Sequence, residues 1–305
     1  MKAITVNNIF KEYGAKKEIV KALNDISFGV NKGELFGIIG PDGAGKTTLF
    51  RILTTLLLAD KGSATIDGLD VVKNYKQIRK RVGYMPGKFS LYQDLTVEEN
   101  LEFFASIFNT SIKENYELIK DIYVQIEPFK DRRAGKLSGG MKQKLALCCA
   151  LIHKPSVLFL DEPTTGVDAV SRKEFWEMLQ QLKKEGITIL VSTPYMDEAA
   201  MCDRVALVQN GKIMSIDTPQ NVIKEFKQPL WAIRSAEMYR LLKDLKAYDN
   251  TESIHSFGEF HHLVLKNNKE ANKLSDYLQD LNHKAIVIEP VQPTIEDRFI
   301  QLMQQ

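Results

Sequence analysis

The chain has 305 residues, 44% of them apolar, with 41 lysines and arginines against 39 aspartates and glutamates. That length suits two domains with packed cores, which excludes extensive disorder, and the near balance of charge gives no global signal for nucleic acid, so no nucleic-acid partner is expected. No apolar run reaches the ~18 residues that span a bilayer, and the opening MKAITVNNIF lacks the pattern of a secretory signal. Three cysteines, two of them adjacent (Cys148 and Cys149), make no disulfide framework; within LALCCALI they read as small core residues in a reducing compartment. The expectation is a cytosolic protein, or one held at a membrane by a partner.

In chain order, residues 3–36 carry alternating and β-branched runs (AITVNNIF, ISFGV) with a turn at NKGE, which predicts an antiparallel layer. LFGII is a short, continuously apolar run of the kind found in a buried parallel strand, and TTLFRILTTLLL behind it reads as a helix. SATIDG and RVGYMP predict further strands, and IRKR at residues 78–81 a solvated helix face. From about Thr96 to Ile152 the pattern is helical: TVEENLEFFASIF, then IKENYELIKDIYVQI stopped by Pro128, then the segment after LSGG. Strand and helix then alternate through SVLFL, VSRKEFWEMLQQLKKE, GITILVS and DRVALVQ, the order of an α/β domain. After residues 218–220 the style changes to β-α-β-β-α-β, the split-βαβ, ferredoxin-like order, with helices near EMYRLLKDL and EANKLSDYLQDL. His261 and His262 fall in one strand there, where neighbours face opposite ways, so a shared metal is not expected.

GIIGPDGAGKTTLF contains G-x-x-x-x-G-K-[ST] between a predicted strand and a predicted helix, the context a P-loop requires. Gly40, Pro41, Asp42, Gly43, Ala44 and Gly45 would curl the backbone so that N–H groups converge on phosphate oxygens. The helix starting near Lys46, followed by Thr47 and Thr48, turns its positive end to the same place. Lys46 brings a full charge to the β and γ phosphates, and the Thr47 hydroxyl is a ligand for Mg²⁺. Downstream, the apolar strand in SVLFLDEPTTGVD ends in adjacent carboxylates, Asp161 and Glu162. Two like charges at the end of a buried strand need a cation nearby. In a parallel sheet, ligands sit beyond the strand C-termini, so Asp161 is placed to reach the same Mg²⁺ and Glu162 to polarise a water against the γ-phosphate.

KLSGGMKQK alone would offer only Ser138 as an N-cap before a helix. Between a P-loop upstream and an Asp-Glu strand about twenty residues downstream, it completes a set of motifs that resembles the ATP-binding cassette (ABC) ATPases over residues 1–218. The resemblance implies an α/β cassette with an antiparallel β layer, a parallel core sheet and a helical subdomain at about residues 88–155. It places the cassette at residues 1–220 and a small α+β, ferredoxin-like accessory or regulatory domain at residues 221–305. It implies that Ser138, Gly139 and Gly140 cap ATP held by a second cassette, that Asp168 lies in a dimer-spanning loop, and that Tyr13 stacks on adenine. A plain strand tyrosine is nearly as good an account of Tyr13. Within the family, STPYMDEA and QPTIEDRFIQLM resemble the ATPase subunits of type-2 exporters of drugs, polysaccharides and lipid-linked cargo. Implied partners are integral membrane permease subunits and a second ABC cassette, at the cytoplasmic face of a bacterial inner membrane. A soluble, non-transport ABC protein and a regulatory cassette that hydrolyses little are the alternatives. Two positions depart from the family pattern: Gly87 stands where a glutamine is expected in RVGYMPG, and Pro194 where a histidine is expected in STPYMDEA. Gln93 and His153 align with neither.

Overall fold

The computed structural model describes residues 1–14, 19–267 and 271–304; Glu270, the first residue of one predicted helix, lies outside them. The chain divides into two compact units, Met1–Gln220 and Asn221–Gln305.

The first unit is built on two sheets. Strands β1 (Lys2–Tyr13) and β2 (Val20–Asn31) pair antiparallel, and β4 (Lys61–Ile66) and β5 (Leu69–Asp70) complete a sheet of order β2-β1-β4-β5. The second sheet contains β3 (Leu35–Ile39), β6 (Val82–Met85), β7 (Val157–Asp161), β8 (Thr188–Thr193), β9 (Arg204–Gln209) and β10 (Lys212–Asp217) in the order β10-β9-β3-β8-β7-β6. All its pairings are parallel except that of β10 with β9. Every residue of β3, β7 and β8 is buried, as strands covered on both faces must be. The two sheets share a core in which Phe28 stacks on Phe36 and Phe50 meets Phe159 edge-on.

Helix α1 (Lys46–Leu53) follows β3 directly. It stops earlier than TTLFRILTTLLL suggests, because Thr54 donates its hydroxyl back to the Phe50 carbonyl and Thr55 turns into left-handed backbone at φ 65°. A short helix α2 (Tyr75–Arg79) buries Ile78. Between β6 and β7 lie α3 (Val97–Ile107), α4 (Tyr116–Tyr123) and α5 (Gly139–Leu151). A capping box of Thr96 and Glu99 starts α3. α4 begins four residues later than its sequence pattern predicts, since Asn115 turns its side-chain amide to the Ile152 carbonyl and Thr110 rather than into the helix. Helix α6 (Ala169–Lys184) connects β7 to β8, and α7 (Pro219–Lys224) runs across the boundary between the units.

In the second unit β11 (Leu230–Arg234), α8 (Met238–Ala247), β12 (Thr251–Phe257), β13 (Phe260–Leu265), α9 (Ala271–Asp280) and β14 (Val287–Val291) form an antiparallel sheet of order β12-β13-β11-β14. One sheet face packs Ile233, Leu263 and Leu265 against Leu241, Leu245, Leu274 and Leu278 of α8 and α9. A last helix, α10 (Ile295–Met303), has its own capping box of Thr294 and Asp297. His261 and His262 point to opposite faces: His261 bonds the Met238 carbonyl of α8, and His262 bonds Asp297 of α10.

Candidate active site

The loop between β3 and α1 needs glycine where its backbone is tightest. A Cβ on Gly40 would lie 2.2 Å from the Val208 carbonyl oxygen, and one on Gly45 the same distance from that of Ala22. Gly45 also has φ 100° and Gly43 φ 79°, conformations that cost other residues strain. Ala44 is buried beneath the loop while Asp42 and Gly43 are exposed. No side chain caps α1, so its first-turn amides have no protein acceptor at that end and suit an anion.

Lys46 is 4% exposed and spans the loop, donating to the carbonyls of Gly40 (2.7 Å) and Pro41 (3.0 Å). Its ammonium also lies 3.0 Å from the Glu162 carboxylate. Asp161, 1% exposed, accepts from the Ser192 hydroxyl at 2.7 Å and from Thr47. Burial raises the Asp161 pKa, and those two hydroxyls and Lys46 oppose the shift. Thus β3, α1, β7 and β8 bring Lys46, Thr47, Asp161 and Glu162 to one point at the strand C-termini. Tyr13 sits at the edge of this point, its hydroxyl 3.4 Å from that of Thr48 and its ring 41% exposed.

Ser192 was not singled out by the sequence, yet it is fully buried and holds both acids. Its hydroxyl donates to Asp161 and accepts the Glu162 N–H at 3.0 Å, and its carbonyl accepts the same N–H at 3.1 Å. Glu162 is thereby held in left-handed backbone at φ 51°, off the line of β7. Beside this, Glu198 (5% exposed) accepts from the hydroxyls of Thr164 and Thr193 and tethers the loop after β8 to the loop after β7.

Ser138 caps α5 by accepting the Met141 N–H, and it is exposed. Gly139 and Gly140 face Gly166 and Ser171: a Cβ on Gly140 would lie 2.8 Å from the Ser171 hydroxyl oxygen. Among the described residues no hydrogen bond joins Ser138 to the P-loop of its own chain. Asp168 accepts the N–H groups of Val170 and Ser171 as the N-cap of α6, and those bonds, Ser171 first, lower its pKa. Gly87 does reach the site: a Cβ there would stand 3.0 Å from the Asp161 carbonyl and 3.7 Å from the Glu162 Cβ. Pro194 directly follows β8, offering no N–H and no titratable ring. Gln93 is exposed and accepts from Gly135, and His153 stacks on Phe108 and bonds the Val82 carbonyl. Neither bonds to the site.

A P-loop, an acidic strand end in a parallel sheet, and a capped Ser-Gly-Gly helix on an inserted helical layer together define an ATP-binding cassette. The family model described as ABC transporter matches residues 23–165. The chain is 38% identical to the probable multidrug ABC transporter ATP-binding protein YbhF of Escherichia coli K12 over 314 residues, covering 98% of this chain and 52% of that protein. It therefore spans about half the length of YbhF. It is 33% identical to the daunorubicin resistance ATP-binding protein DrrA2 of Streptomyces coeruleorubidus, covering 98% of this chain and 94% of that one. Against the ABC transporter ATP-binding protein NatA of Bacillus subtilis the identity is 39%, covering 69% and 87%. Among solved structures, the dimeric post-hydrolysis cassette MJ0796 bound to ADP and Pi superposes with a TM-score of 0.64 at 25% identity, over 70% of this chain and 98% of that one. The chain belongs to the ATP-binding proteins of the ABC transporter family.

Proposed function

We propose that this chain binds and hydrolyses ATP to drive a membrane exporter, through ATP-dependent pairing with a second cassette. The observation that carries the proposal is the convergence of Lys46, Thr47, Asp161 and Glu162 on one point, with Lys46 3.0 Å from Glu162. Lys46 and the α1 amides bind phosphates, and Glu162 accepts the proton of the attacking water. The residues fit Mg²⁺: a hydroxyl (Thr47) and a buried carboxylate (Asp161) are the oxygen donors a hard cation prefers. When bound, the ion supplies charge neutralisation for the phosphates. Tyr13 takes the adenine, and Ser138 to Gly140 with Asp168 face the second cassette.

The names of the relatives, which include multidrug and daunorubicin resistance proteins, support export. No helix among the described residues is long and apolar enough to cross a membrane, and in this reading a permease supplies the pathway. A groove between α3, α5 and the end of β6, about 290 Å³ and lined by Met85, Leu91, Phe104, Phe108, Cys149 and His153, suits an apolar permease helix. We place the assembly at the cytoplasmic face of a bacterial inner membrane, with residues 221–305 as an accessory domain. Gly87 and Pro194 favour a second reading for the chain's own site: tight binding with slow hydrolysis, in a heterodimer whose other site is fast.

In calorimetry, wild type should bind Mg-ATP and Lys46→Ala should lose at least about tenfold in affinity, as for removal of a charge-assisted phosphate contact. Glu162→Gln should keep binding and lose turnover. Equal ATP affinity in wild type and Lys46→Ala would displace the site.

A further inference from the structure

In the second unit, the sheet face opposite α8 and α9 lies under α10, and this interface is polar and hollow. His255 and His262 are direct cross-strand partners, as are Ser253 and Val264, and Val264 in turn pairs with Leu230. These side chains therefore share one face. α10 does not seal that face with leucines; it presents Asp297, Ile300 and Gln301, and Gln304 follows as its C-cap. A cavity of about 290 Å³ is left, with an apolar floor of Phe226, Leu230, Val264 and Ile300.

The charged groups in the cavity are carboxylates. Asp297, 5% exposed, already accepts the Thr294 N–H and hydroxyl and His262 Nδ1 at 2.7 Å. His262 Nε2 bonds no described residue. Gln304 Nε2 donates to His255 Nε2, and Gln228 Nε2 donates to one Glu252 oxygen, leaving the second. None of the described residues lining the cavity is a lysine or arginine, whereas Glu252 and Asp297 are both acidic. Burial lowers the His255 pKa and so keeps that imidazole neutral, adding no opposing charge. Among the described residues no group of three metal-binding side chains is close enough to hold a metal ion, so the two imidazoles do not by themselves make a metal site.

We propose that this cavity binds a small organic cation: a protonated amine that donates to Glu252 while its apolar body lies on Phe226, Leu230, Val264 and Ile300. An ammonium brings three donors and no acceptor, which complements a pocket whose charged lining groups are the carboxylates of Glu252 and Asp297, near the small end of the ligand-site range. A neutral alcohol of the same shape lacks the charge-assisted bond, and a carboxylate meets repulsion.

The test is calorimetry on the full chain with phenethylamine as the probe, beside 2-phenylethanol and phenylacetate. Phenethylamine should bind about tenfold more tightly than the alcohol, with no detectable phenylacetate binding. Its binding should shift the imidazole resonances of His255 and His262. Glu252→Gln, at an exposed carboxylate, should bring the amine down to the affinity of the alcohol. Ser253→Phe, which fills the cavity from β12, should abolish binding of both, with the circular dichroism spectrum and ATP affinity of each variant serving as the fold control. Equal affinity for amine and alcohol, or amine binding unchanged in both variants, overturns the proposal. So does Zn²⁺ binding at the two histidines that excludes the amine. Loss of ATP binding alone would bear on the cassette and leave this site standing.

Discussion

Ser192 shows how much of the catalytic geometry rests on a residue that touches neither phosphate nor metal in any motif. Its buried hydroxyl is a donor to Asp161 and an acceptor for the Glu162 N–H, so one side chain holds the carboxylate of the first acid and the backbone of the second. Removing it leaves Asp161 buried with one bond fewer and leaves the Glu162 N–H only the Ser192 carbonyl to bond. Ser192→Ala should therefore cost about 1–3 kcal/mol of stability, the usual penalty for orphaning a buried polar partner. It should also lower kcat much more than it changes KM for ATP, because the phosphate cradle of Lys46 and α1 is untouched. Ser192→Thr keeps the hydroxyl and should recover most of the rate, which a purely volumetric role would not predict. A raised KM with unchanged kcat would show that Ser192 holds the cradle instead of the acids. The carboxylate doublet is plain in the sequence, but its clamp is not. Asp161 and Ser192 meet because β7 and β8 pair in a register that sets them side by side, and spacing alone does not disclose strand register.

At the scale of elements, legibility followed the strength of the local signal. α3 shows in the sequence as the helical stretch TVEENLEFFASIF, and the buried strands as unbroken apolar runs. β10 was missed because KIMSID is half-buried almost throughout and shows neither alternation nor a continuous apolar run. α10 carries the same kind of box as α3, Thr294 with Asp297, but the proline before it and its short length hide it. Asp297 does two tasks there, closing the cap and bonding His262 of β13. Burial raises its pKa, yet the bonds from His262 and Thr294 outweigh burial and leave the pKa below the usual 3.8. The sign follows: a depressed aspartate contributes stability that is fully present above its unfolded pKa and is lost as pH falls through its folded one. The second unit should thus lose α10 docking in the acid range beginning near pH 4, where unfolded aspartate titrates. Asp297→Asn should be less stable at neutral pH and less sensitive to acid below pH ~4. The His262 ring signals and circular dichroism followed from pH 7 to 2 would check this. An acid transition of unchanged position and steepness in Asp297→Asn would assign it to other carboxylates.

For the whole molecule, the question is whether a cassette with Gly87 and Pro194 turns over ATP at its own P-loop. The groups proposed to bind nucleotide are present and ordered by packing: Lys46 across the loop, Thr47 and Ser192 on Asp161, and Glu198 tying the loop after β8 in place. On the proposed function the two departures bear on positioning at the γ-phosphate and on the water, and positioning losses cost rate far more than affinity. The positions are not equivalent for repair. At Gly87 an added Cβ comes within 3.0 Å of the Asp161 carbonyl, so a glutamine there must first push on the strand end that carries Asp161. Pro194 is half-buried, and replacing it restores a backbone N–H as well as an imidazole. Steady-state ATPase on the purified chain should accordingly be slow, and Pro194→His should raise it by about tenfold or more, within the span typical of a restored polar catalytic contact. Gly87→Gln should add little by itself. Adding a second cassette that keeps its own glutamine and histidine should raise turnover further, with Ser138→Arg in this chain abolishing that rise by blocking the segment that completes the partner's site. Brisk hydrolysis by the chain alone, lost in Glu162→Gln and unchanged in Pro194→His, would mean that Glu162 and its Ser192 clamp suffice and that the second cassette can be a copy of this one.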